Sequence, residues 1–107
     1  MGVTMNNFKI IKAVEAKKLM DNTNCKVLDV RTEEEFNEGH IDNAISLPLD
    51  QINGKVEEVF KNKNETILVY CRSGVRSKQA SQIMVQKGYT NIFEFGGIID
   101  WPFEIVL

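Results

Sequence analysis

Cysteine is scarce in this chain: Cys25 and Cys71 are the only two among 107 residues, and they stand far apart. No paired cysteine spacing suggests a zinc site, and two distant thiols make no disulfide scaffold. Neither sign of charge dominates, with 13 basic against 15 acidic residues and a net charge of −2. That balance gives no reason to expect nucleic acid or an anionic membrane as a partner. No apolar run approaches membrane-spanning length, and the polar stretch Met1 to Asn7 has no basic start, apolar run or cleavage site. A cytoplasmic, reducing setting is the default, and a reactive thiol survives best there. Internal repeats, linkers and low-complexity segments are missing too. Residues 1–107 therefore read as one domain with no sign of a separate partner subunit, and a monomer is expected.

What is present is an ordinary globular composition, 43% hydrophobic and 26% charged. A chain of this size buries roughly two-thirds of its unfolded surface, enough for one core. Phe8 to Ile11 reads as a short strand and Ala13 to Met20 as a helix without a polar cap, followed by the turn Asp21-Asn22-Thr23-Asn24. Val27 to Val30 is a strand. Thr32 with Glu35 fits a capping box for a short acidic helix that Gly39 ends. A strand centred on Ala44 to Leu47 is closed by Pro48, and Val56, Val59 and Phe60 suggest a short surface helix. Ile67 to Tyr70 is apolar at every position, as in a strand covered on both faces. A helix over Lys78 to Lys87 should bury Ala80, Ile83 and Met84 before Gly88 caps it, and Ile92 to Phe95 is a last strand before the turn Gly96-Gly97. Strands alternating with helices predict an α/β fold with a parallel sheet and helices on both faces.

Cys71 is the most informative residue. It ends the apolar strand and opens Arg72-Ser73-Gly74-Val75-Arg76-Ser77, which leads straight into a helix. Ligands in such sheets bind outside the carboxyl ends of the strands. A thiol there, facing a helix amino terminus and flanked by two arginines, is set to ionise. The same N–H groups and cations cradle an anion. Nucleophilic sulfur chemistry on a small anionic substrate follows, with Cys71 as nucleophile and Arg72 to Ser77 as the binding loop.

The other polar residues invite simpler readings. Cys25 lies between a turn and a strand, as a packing residue does. Asp29 and Arg31 flank a strand end, and Arg31 reads as pairing with an acidic neighbour to brace the sheet edge. His40, the single histidine, follows Gly39 at a helix end, where a hydrogen-bonded structural role is common. Trp101 reads as a packing anchor.

These residues resemble a known family. Leu28-Asp29-Val30-Arg31 with Glu35-Phe36, Gly39-His40-Ile41 with Ala44, Tyr70 through Ser77, and Gly96-Gly97 with Trp101 are together similar to a single-domain rhodanese of the sulfurtransferase superfamily. The match spans roughly residues 8 to 103. It implies a rhodanese-like α/β fold with five strands, mostly parallel, and flanking helices. It also implies a thiosulfate or persulfide sulfurtransferase. Cys71 would take a sulfane sulfur from thiosulfate or a persulfide donor, carry it as a persulfide, and yield it to a thiol or cyanide acceptor. Arg72, Ser73, Gly74, Val75, Arg76 and Ser77 would hold the substrate, with no metal or cofactor. Asn43 departs from the family's frequent glycine, and Lys12-Ala13 from its usual polar cap. Two other classes remain open. One is a non-catalytic module or protein-to-protein sulfur relay with a relay protein as partner. The other is phosphatase or arsenate reductase chemistry. Related phosphatases carry an arginine six positions after the cysteine, whereas here Arg76 comes five after Cys71 and Ser77 takes the sixth place.

Overall fold

The computed structural model describes residues 7–107. The stretch from Met1 read for targeting signals lies, apart from Asn7, outside them. The elements alternate as expected: β1 (Lys9–Ile10), α1 (Ala13–Asn22), β2 (Lys26–Asp29), α2 (Glu33–Glu38), β3 (Ala44–Ser46), α3 (Leu49–Val59), β4 (Ile67–Cys71), α4 (Val75–Gln86) and β5 (Ile92–Gly97), followed by a 3₁₀ turn over Ile98–Asp100. The five strands form one sheet in the order β1-β5-β4-β2-β3. Every pairing is parallel, so all carboxyl ends lie along one edge.

β4 lies at the centre because its residues suit burial on both faces. All five are buried. Side chains alternate along a strand, so Ile67, Val69 and Cys71 enter one core with Ile52 and Val56 of α3 and Ala80 and Met84 of α4. Leu68 and Tyr70 enter a second core with Ala16 of α1, Ile41 and Phe95. The cysteine therefore belongs to the α3–α4 side.

Several boundaries differ from the sequence reading. α1 continues through Asn22 into the expected turn, and Glu15 Oε1 accepts the Lys12 N–H at 3.0 Å in place of a polar cap. α3 runs for 11 residues from Pro48 as its cap. Its buried stripe is the pair Ile52 and Val56, a signal interrupted in sequence by Asn53 and Gly54. α4 starts one turn early, at Val75, and buries Ser77, Ala80, Ser81, Met84 and Val85, while Ile83 is only half-buried. Asn43 has φ 66°, a left-handed turn that asparagine tolerates better than most residues.

The predicted brace is present. Arg31, 5% exposed, meets the fully buried Asp29 through Nε at 3.1 Å and Nη2 at 2.7 Å, and donates to the Gly39 carbonyl at 2.7 Å. This ties the end of β2 to the segment after α2. His40 stacks on Phe36 with ring centroids 3.8 Å apart, and its Nδ1 lies 3.1 Å from the Phe36 carbonyl. The tail docks there too, since His40 and Val106 exchange two backbone hydrogen bonds of 2.8 Å. Trp101 leans on Phe95 and Phe103. No helix among the described residues is long and apolar enough to cross a membrane.

Candidate active site

Cys71 is the last residue of β4, and its neighbour across the ladder is Gly97 of β5. The loop folds back over that glycine. A Cβ on Gly97 would fall 2.0 Å from the Arg72 carbonyl oxygen and 2.6 Å from Ser73 Cα. Only bare backbone fits there. The Arg72 carbonyl also accepts the Ile99 N–H at 3.3 Å, so the loop is held to the floor beneath it.

Gly74 turns the chain over the sulfur. It takes a left-handed conformation, φ 105°, as the cap of α4, and its N–H donates to Cys71 Sγ at 3.0 Å. The early start of α4 has a chemical effect: Val75, Arg76 and Ser77 form its first turn, where backbone N–H groups have no partner within the helix. Ser77 faces inward, with its Oγ 3.3 Å from Sγ. Cys71 is only 1% exposed. Burial pushes its thiol up. The Ser77 hydroxyl and the N–H groups of Ser77, Gly74 and Ser73 oppose this, and the thiol ends below its ordinary value.

The two arginines have different settings. Arg76 is clasped by Glu35 of α2 through Nη1 at 2.7 Å and Nη2 at 3.0 Å. The Glu35 carboxyl is lowered to about 2 by that clasp, despite burial pushing the other way and with help from Thr32. Glu35 also completes the capping box: its Oε1 accepts the Thr32 N–H, and its own N–H donates to Thr32 Oγ1 at 3.2 Å. Arg72, Ser73 and Val75 are exposed around the rim.

Beneath the loop lies Glu94 of β5, fully buried. Its Oε2 accepts from the Ser77 hydroxyl and from the Gly96 N–H, the latter at 2.9 Å. Its Oε1 has no hydrogen-bond partner, and the Lys78 ammonium stands 3.5 Å from it. Sequence reading missed this residue, although a carboxylate inside the apolar run Ile92-Phe93-Glu94-Phe95 is itself a signal.

An open depression of about 360 Å³, lined by Val30, Thr32, Pro48, Leu49, Asp50 and Arg76, adjoins the loop. A larger one of about 730 Å³ lies away from Cys71, between α1 and Trp101 to Glu104. Among the described residues no cluster of His, Cys, Asp and Glu could hold a metal ion.

A profile described as "Rhodanese-like domain" matches residues 12–102. The chain belongs to the rhodanese-like family. Among its relatives, "Thiosulfate sulfurtransferase PspE" of Escherichia coli K12 is 36% identical over 73 residues, 68% of this chain and 70% of the relative. The "tRNA uridine(34) hydroxylase" of Photorhabdus laumondii is 33% identical over 96 residues, 85% of this chain; the chain spans only 27% of that longer protein. A crystal structure of a rhodanese-like domain protein from Staphylococcus aureus superposes with a TM-score of 0.82 at 31% identity, covering 94% of this chain and 98% of the other.

In this rhodanese-like domain the predicted loop residues gather unequally around the sulfur. Gly74 and Ser77 touch it, Arg76 is turned to Glu35, and Arg72 stays at the rim. His40 is engaged with Phe36. Cys25 packs in the second core, its Sγ 3.6 Å from the Leu19 carbonyl. It also sits at the opposite end of the sheet: the next residue, Lys26, pairs with Ile67, the first residue of β4, while Cys71 is the last. At ~3.3 Å per residue the two thiols lie more than ~13 Å apart along the strands, too far for a disulfide.

Proposed function

We propose that this domain is a sulfurtransferase that moves a sulfane sulfur through a persulfide on Cys71. The observation that carries the reading is the Cys71 sulfur held under the Gly74 N–H, beside Ser77, with its thiol lowered. The thiolate attacks the outer sulfur of the donor. With thiosulfate, a new S–S bond forms to Cys71 and the donor's S–S bond breaks, its electron pair leaving with sulfite. The three negative charges of thiolate and thiosulfate are conserved in persulfide anion and sulfite. An acceptor such as cyanide or a thiolate then attacks the outer sulfur and releases the Cys71 thiolate. Neither step calls for a metal or nucleotide.

The charge arrangement favours a persulfide donor, small or protein-borne, over the thiosulfate dianion. Arg76 is neutralised by Glu35 and Lys78 stands against Glu94, which among the described residues leaves Arg72 as the rim cation free for an anion. The test is to incubate the protein separately with thiosulfate and with glutathione persulfide, then weigh it intact. One added sulfur mapping to Cys71 is expected, faster from the persulfide. No adduct from either donor, or an adduct that survives Cys71→Ser, sinks the reading.

A further inference from the structure

Ser77 has one hydroxyl proton and two close neighbours for it, the Gly96 carbonyl standing farther off at 3.5 Å. Its Oγ lies 3.3 Å from Cys71 Sγ on one side and at very close range to Glu94 Oε2 on the other. All three groups are buried. A single proton cannot serve both contacts, so one neighbour must donate to Ser77. If Glu94 is ionised, Ser77 donates to it and the thiol S–H points at Oγ. If the sulfur is ionised, Ser77 donates to sulfur and Glu94 must carry a proton to donate to Oγ. The two arrangements have the same atoms and the same single negative charge. They differ by two short proton movements, S–H to Oγ and O–H to Oε2.

We propose that Glu94, acting through Ser77, is the internal acceptor of the Cys71 thiol proton and so the positioning residue that charges the nucleophile. A negative charge this deeply buried is costly to duplicate. Holding a thiolate and a carboxylate together, with only one hydroxyl proton between them, is disfavoured; moving one charge between them is not. The surroundings suit the exchange. Gly96 N–H holds Oε2 in place, Oε1 is left without a hydrogen bond, and the Gly74 N–H waits at the sulfur. Lys78 of α4 is the charged side chain that faces Glu94, its ammonium 3.5 Å from Oε1. From β1, Lys9 lies instead over the Phe93 ring. Arg76 on the first turn of α4 is occupied by Glu35. His40 is committed to Phe36, which among the described residues leaves Glu94 as the base connected to the sulfur.

This inference rests on Cys71 being the nucleophile, but its test uses no sulfur donor, so the two readings fail separately. Cys71 is alkylated with iodoacetamide from pH 5 to 9 and the product mapped by mass spectrometry. The native protein should give a shallow profile, because the proton moves inside the protein. Glu94→Gln should be slower at pH 6 by about a hundredfold, the low end for a positioned base, and rise in proportion to hydroxide. A carboxylate that merely sat near the sulfur would have the opposite sign: removing its charge would ease thiolate formation, and Glu94→Gln would react as fast or faster. That result overturns the proposal. Glu94→Asp keeps the charge but falls short of Ser77, and serves if the glutamine variant does not fold. A slow, steep profile is expected from it, and a native one overturns the proposal equally.

Discussion

Arg76 and Glu35 form a two-pronged ion pair between the first turn of α4 and the first turn of α2. One carboxylate thus caps its own helix and anchors the loop over Cys71. At 23% side-chain exposure for Glu35 and 31% for Arg76, the pair is partly shielded from water.

Replacing Glu35 by Gln should therefore cost about 1 kcal/mol at neutral pH, a partly exposed, charge-assisted contact. The sign with pH follows from the lowered carboxyl. Its ordinary value is 4.5 and its folded value about 2. The stabilisation is complete above pH 4.5 and disappears as pH falls through about 2. Urea unfolding of both proteins at pH 7 and again near pH 2.5 checks this. The gap should narrow at the lower pH; a gap independent of pH would mean that the carboxylate charge contributes nothing.

Gly97→Ala should disrupt the loop. Its Cβ would meet backbone 2.0 Å away, and backbone cannot swing aside as a side chain can. A loss of about 2–3 kcal/mol is expected, with slower Cys71 alkylation. Gly54→Ala is the control. It meets nothing within 4 Å inside α3 and should be neutral or gain up to about 1 kcal/mol. Equal stabilities for the two variants would mean that the loop does not rest on β5.

Arg31→Met should be the most damaging of these single variants. It leaves the Asp29 carboxylate buried and the Gly39 carbonyl without its donor, at about 3–5 kcal/mol. Adding Asp29→Leu should recover part of that loss, because an apolar pair avoids the stranded charge. Thermal melts of the single and double variants decide it. A double variant less stable than the single one would show that the pair contributes more than mutual neutralisation.

The sequence was most legible where one element carries its own signal. Uniform apolarity placed β4 at the centre, Thr32 with Glu35 announced the cap of α2, and the strand–loop–helix around Cys71 marked the candidate site. The pattern of α3 looks shorter than the helix because Asn53 and Gly54 break its stripe, although Ile52 and Val56 alone suffice to bury it. The onset of α4 at Val75 depends on Gly74 turning left-handed, which glycine permits without announcing. The Arg76–Glu35 clasp and the Ser77–Glu94 contact join residues 41 and 17 positions apart. No local pattern encodes such pairings, since the sheet order decides which strands and helices become neighbours.

A sheet whose strands all run one way keeps its two thiols at opposite poles, and the practical outcome is separate addressability. On the proposed reading, Cys25 cannot take the sulfur from Cys71, which would leave only by way of an outside molecule. A small dye attached at Cys25 would then report on the protein from the far side, without occupying the loop around Cys71.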